Sequence, residues 1–144
     1  MVKEHYPKAY LYMRMVQAKL FIDKHFCHAI NLNDITNEAF FSKYHFIRSF
    51  KNIYGQTPHQ YLQRVRIEKA KKFLEKGHTS KEACDLVGFE SVSSFAGLFK
   101  KVVGRTPAEF KLSYIQKRNE EKSDPLKFVP GCFAMHCKNS NFEE

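Results

Sequence analysis

FIRSFKNIYGQTPHQY, residues 46–61, returns as FAGLFKKVVGRTPAEF, residues 95–110. Phe46, Phe50, Lys51, Gly55, Thr57 and Pro58 answer to Phe95, Phe99, Lys100, Gly104, Thr106 and Pro107, an offset of 49 from residue 46 to 95 and from 58 to 107. Upstream the correspondence continues at an offset of 48, with Ala39 facing Val87 and Phe41 facing Phe89. A repeat this long marks a duplicated structural unit, and two copies are too few for a solenoid. Two like units in a basic chain point to a protein that grips two equivalent places on a regular partner. Double-stranded DNA is such a partner.

Within each copy, phenylalanines four residues apart mark one helix face, the glycine is a left-handed stop, and Thr-Pro caps and opens the next helix. Working outward, Leu11, Met15, Ala18, Ile22 and Phe26 predict an amphipathic helix opening near Pro7. Asn31 caps a short helix over residues 32–39 that buries Leu32, Ile35 and Ala39. Ser42 caps the helix that runs through Phe46 and Phe50 to Tyr54, where Gly55 stops it. From Thr57-Pro58 a longer helix reaches about Glu75, with Tyr61/Leu62, Val65, Ala70 and Phe73/Leu74 as its apolar stripe and Gly77 beyond its end. Thr79 and Glu82 form a capping box for a helix over residues 80–87. Gly88-Phe89 turns the chain, Ser91 caps a helix carrying Phe95, Leu98, Phe99 and Val102, and Thr106-Pro107 opens the last helix through Phe110, Tyr114 and Ile115. No strand pattern occurs before residue 123.

The expected fold is therefore all-α, with about seven helices. Two homeodomain-like, three-helix units of helix-turn-helix geometry are joined by a long linker helix. Residues 1–56 form the first subdomain, 57–77 the linker, 78–122 the second subdomain and 123–144 a tail. A linker from Pro58 to about Glu75 is roughly 27 Å long at 1.5 Å per residue. Such a rod holds two recognition helices about one DNA turn apart, roughly 34 Å, so that a monomer covers two successive major-groove segments.

Composition fits. The 144 residues carry a net charge of +9, 43% hydrophobic residues and 14 phenylalanines, with a pI near 9.4. Such a charge suits nucleic acid first and an anionic membrane surface second. No apolar run approaches the roughly 20 residues of a membrane span. Lys3, Glu4, Lys8, Arg14 and Lys19 interrupt any signal-peptide core, so a cytoplasmic, nucleoid-associated location with four reduced cysteines is expected.

The most specific segment is ACDLVGFESVSSFAGLFKKVVGRTPAEF, residues 83–110, followed in weight by SKYHFIRSFKNIYGQTP and RIEKAKKFL. Through these the chain resembles the DNA-binding domain of the AraC/XylS family of bacterial transcription regulators, over about residues 11–111. The resemblance implies two helix-turn-helix subdomains on a long helix, and an activator that touches RNA polymerase. The N-terminal effector-binding or dimerisation domain typical of the family has no counterpart in this sequence, which leaves open a stand-alone regulator or a piece of a larger protein.

On the first recognition helix, Phe46, Ser49 or Phe50, and Ile53 turn inward, leaving Tyr44, His45, Ile47, Arg48 and Lys51 outside. Tyr44, His45, Ile47 and Arg48 are the candidate base contacts. Among them the resemblance implies Tyr44, Ile47 and Arg48 against base edges. Arg48 is the strongest, because a guanidinium can donate twice to guanine O6 and N7; as a solvated charge or a phosphate contact it would carry no sequence information. The corresponding face of the second helix is Val92, Ser93, Ser94, Ala96 and Gly97, with Gly97 in the place of Arg48. That half is expected to add affinity and weak selectivity through small contacts and DNA shape. Helix starts at Leu32 and Ser80, with Lys43, Lys51, Lys81, Lys100 and Arg105, form the candidate phosphate set, in which any one lysine is equally a solubilising charge.

Other clusters read as structural. Cys132/His136/Cys137 and His25/Cys27/His28 lack the spacing of a structural zinc site, and Cys84 reads as a core thiol. No phosphate loop, nucleophile elbow or paired-carboxylate arrangement is present, so no enzyme, cofactor or metal is expected. The tail LKFVPGCFAMHC either folds back through Phe128, Val129 and Phe133 or forms a docking patch. Two rival functions stand beside the regulator: a helical protein-interaction adaptor, and the targeting module of a DNA-processing enzyme.

Overall fold

The computed structural model describes residues 8–39 and 42–123; the expectations for the tail and its Cys132/His136/Cys137 group lie outside them. Among the described residues there are seven helices and no strand: α1 (Lys8–His25), α2 (Leu32–Ala39), α3 (Lys43–Tyr54), α4 (Pro58–Glu75), α5 (Ser80–Leu86), α6 (Val92–Val103) and α7 (Pro107–Ser123). None of them is long and apolar enough to cross a membrane.

The repeat is physical as well as textual. Rings of Phe46 and Phe50 lie 5.8 Å apart, and those of Phe95 and Phe99 5.7 Å. Phe50 meets Tyr61 edge-on at 5.9 Å, as Phe99 meets Phe110 at 5.6 Å. Gly55 and Gly104 both take positive φ, +72° and +83°, and each N–H donates to the carbonyl of Lys51 or Lys100 at 2.8 Å. Only glycine enters that region without strain. Thr57 and Thr106 each cap the helix that follows. Gln60 closes the box on the first, its backbone N–H donating to Thr57 Oγ1 and its Oε1 accepting from the Thr57 N–H; Glu109 does the same on the second. Asn31 and Thr79 begin α2 and α5 with the same reciprocal bonding, through Asp34 and Glu82.

Two cores result. Met15, Ala18, Ile22, Ile35, Phe46, Phe50 and Leu62 form the first. Ile67, Leu74, Cys84, Val87, Phe95 and Phe99 dominate the second. Each fully buried phenylalanine contributes about 1.5–3 kcal/mol on the transfer scale. Burial also holds the Cys84 thiol above its ordinary pKa, as suits a core thiol. At the other end of α4, Tyr61 Oη donates to Asp23 Oδ1 at 2.7 Å and Lys19 pairs with Asp23 at 3.2 Å, tying α4 to α1.

Three expectations need correction. The α4 stripe passed over Ile67, which is fully buried, and included Val65, which is half-buried. The reason is that α4 serves both cores. Leu62 faces the first, and at 100° per residue Ile67 lies about 140° further round, facing the second. On α6, Val102 is 51% exposed, and Val103 packs on the core instead, continuing the line of Phe95 and Phe99. Phe26 lies past the end of α1 rather than on its stripe, and it packs against both cores.

Candidate nucleic-acid interface

α3 and α6 occupy equivalent places in the two units, and their outward residues keep one register. Phe46, Ser49 and Phe50 fix the inner face of α3, with Ile53 half-buried beside them. Opposite them, Tyr44, Arg48 and Lys51 are exposed, Tyr44 at 84%. On α6 the buried pair is Phe95 and Phe99, and the exposed set is Ser93, Gly97 and Lys100. Residues four and three apart share a helix face, so each triplet forms one continuous strip.

The other candidates lie around these strips. His45, Val92 and Ser94 are exposed, whereas Ile47 and Ala96 are half-buried in matching positions. Ile47 packs against the first core and lines a hollow of about 450 Å³ with Leu32, Ile35, Pro58 and Leu62, so its side chain leans away from the Arg48 strip. Ser94 is partly engaged: its N–H donates to Ser91 Oγ at 3.2 Å and its hydroxyl accepts from Ser91 Oγ at 2.8 Å. Arg48 forms no ion pair with a carboxylate among the described residues. An added Cβ on Gly97 would meet nothing within 4 Å, so its small size is not demanded by the fold. Asn52 and Lys101, matched at the same offset and exposed, extend both strips; the sequence reading omitted them. Their register with Arg48 and Gly97 was the available signal.

Lys43, Lys51, Lys81, Lys100 and Arg105 are all exposed, and Leu32 and Ser80 are half-buried at the starts of α2 and α5. Each of these helix starts also holds a carboxylate. Asp34 Oδ2 accepts from Asn31 N–H at 2.8 Å, and Glu82 Oε2 accepts from Thr79 N–H at 2.7 Å. The backbone and hydroxyl donors of Thr79 hold the Glu82 carboxyl below its ordinary pKa, so it is anionic at neutral pH. A phosphate approaching these two ends is left with the first two amides of each helix, at Leu32 and Asn33 and at Ser80 and Lys81. Around His25, Cys27 and His28, rings and thiol touch, His25 to His28 at 6.0 Å and Cys27 Sγ to His28 Nδ1 at 3.5 Å. Among the described residues no three His, Cys, Asp or Glu side chains converge as a metal-holding group.

A family model described as a helix-turn-helix domain matches residues 35–113, more than half of the chain. The chain is 39% identical over 94 residues to the bifunctional transcriptional activator/DNA repair enzyme AdaA of Bacillus subtilis, a match covering 63% of this chain and 44% of that one. It thus spans under half the length of that relative. Among solved structures, it resembles the DNA-binding domain of AdpA, solved in complex with a target DNA. The TM-score is 0.71 at 23% identity, over 74% of this chain and 96% of that one. It also resembles a Chromobacterium violaceum transcriptional regulator with an AraC-type DNA-binding domain, at TM-score 0.67 and 20% identity, over 73% and 95% of the two chains. These two likenesses bear on the fold, which is the two-unit, seven-helix arrangement described above. With the family model spanning both repeats and the linker between them, the chain belongs to the AraC/XylS-type helix-turn-helix family.

Proposed function

We propose that this chain is a sequence-specific DNA-binding transcription regulator, acting as an activator in contact with RNA polymerase. Its α3 and α6 enter successive major-groove segments of double-stranded DNA. The units divide at residues 56/57 and 77/78, and the molecule binds as a monomer unless another domain pairs it. It works in the cytoplasm on nucleoid DNA, and it carries out no reaction of its own.

One observation carries this reading. Two exposed strips, Tyr44–Arg48–Lys51 and Ser93–Gly97–Lys100, keep the same register on units whose cores match ring for ring. The test is fluorescence anisotropy with random duplex DNA over a salt series. Binding that weakens linearly in log K against log salt, with a slope of about −0.9 per phosphate neutralised, is the expected result. Absence of binding at low salt would instead favour the protein-interaction adaptor.

The name of AdaA, which pairs an activator with a DNA repair enzyme, favours a second reading: this chain as the DNA-targeting part of a processing enzyme. A repair or modification activity that copurifies with the chain on its own DNA site would select it.

A further inference from the structure

Beyond the linker α4, the two units meet at a second place. Arg66, on α4, donates from Nε to the Phe26 carbonyl and from Nη2 to the His28 carbonyl, both at 2.8 Å. Those carbonyls belong to the segment between α1 and α2, in the first unit. The same guanidinium lies 5.6 Å from the centre of the Phe89 ring, in the turn of the second unit. Phe26 packs against both cores. Next to Phe89, Gly88 has φ +83°, and a Cβ built there would lie 2.6 Å from the Cys27 carbonyl oxygen. Backbone of the first unit thus rests directly on backbone of the second.

A helix used as a rod fixes distance well and rotation about its own axis less well, because each unit grips it on one face only. A contact displaced from the axis resists that rotation. We infer that Arg66 and the Cys27–Gly88 contact are positioning elements that set the rotation of the second helix-turn-helix unit relative to the first. On the DNA reading above, on which this part rests, discrimination between sites by half-site spacing depends on this clamp as well as on α4.

The fold provides its own control. Gly104 has the same φ as Gly88, +83°, but nothing lies within 4 Å of its added Cβ. Gly104→Ala therefore imposes the same backbone strain without touching the other unit. The measurement is amide residual dipolar couplings of α3 and α6 in the full chain, for wild type, Arg66→Met, Gly88→Ala and Gly104→Ala. One alignment tensor is expected to fit both helices in wild type and Gly104→Ala, and two are required for Arg66→Met and Gly88→Ala. On duplexes carrying both half-sites, moving one by about half a turn, about five base pairs, is expected to weaken wild type about tenfold or more. The same move weakens Arg66→Met less than about threefold. If one tensor fits all four proteins, the clamp is refuted whatever they do on DNA. Separate tensors with an unchanged spacing preference would refute its role in site discrimination. If no duplex binds any of the four, the regulator reading fails while the couplings still decide the clamp. Should Gly88→Ala not fold, Arg66→Met gives the answer alone.

Discussion

Arg48 and Gly97 occupy one place in the repeat, but a guanidinium and a hydrogen atom do not act alike against a base pair. Arg48→Ala is expected to cost about 1–3 kcal/mol at a single base pair and to relax the preference there. Competition between the selected site and random duplex measures it, and equal losses on both would make Arg48 a phosphate contact. Gly97→Ala runs the other way. Nothing crowds the added methyl, so relief of the helix-interior glycine is expected to stabilise α6 by about 1 kcal/mol, read as a higher Tm. The outward placement of Arg48 was legible in the sequence because its neighbours Phe46 and Phe50 announced the inner face. Ile47 was less so: its lean toward the hollow beside α4 depends on Leu32, Pro58 and Leu62, which no local spacing brings together.

Helix boundaries were legible almost to the residue, since each carries its own chemistry: Asn31 and Thr79 at starts, Gly55 and Gly104 at stops. The caps themselves are less uniform than the letters suggest. Ser91 accepts the Ser94 N–H, whereas Ser42, at the matching end of α3, makes no side-chain bond to its helix. Ser91→Ala is therefore expected to cost about 1 kcal/mol in urea unfolding and Ser42→Ala much less. The capping boxes also carry a pH dependence. Hydrogen bonds from Thr79 and Thr106 hold the Glu82 and Glu109 carboxyls below their ordinary value of 4.5 in the folded chain. Their stabilising effect is complete above pH 4.5 and is lost as pH falls through the lowered values. The double variant Glu82→Gln/Glu109→Gln keeps an acceptor, as Gln60 does on α4, and is expected to show a smaller drop in Tm between pH 6 and about pH 3. Ile67 marks where reading by stripe stopped working. A helix shared by two cores shows two faces, and a single periodicity follows only one of them.

At the scale of the whole molecule, the described residues form two cores; α4 and Phe26 pack on both, and Arg66 links the two units. The repeat foretold the number of units, and the glycines and caps foretold their helices. The angle between units could not be foretold, because it depends on backbone contacts between Cys27 and Gly88 that are remote in sequence. The inequality of α3 and α6 has one more consequence. On the proposed regulator reading, a reader with an arginine at its head and a glycine at its heel turns its binding site into an arrow, where a two-fold symmetric dimer would see a mirror. If it also contacts polymerase as proposed, flipping the site end for end beside a promoter is expected to leave affinity in the test tube unchanged while altering reporter output, since the polymerase would then meet the opposite flank of the bound molecule.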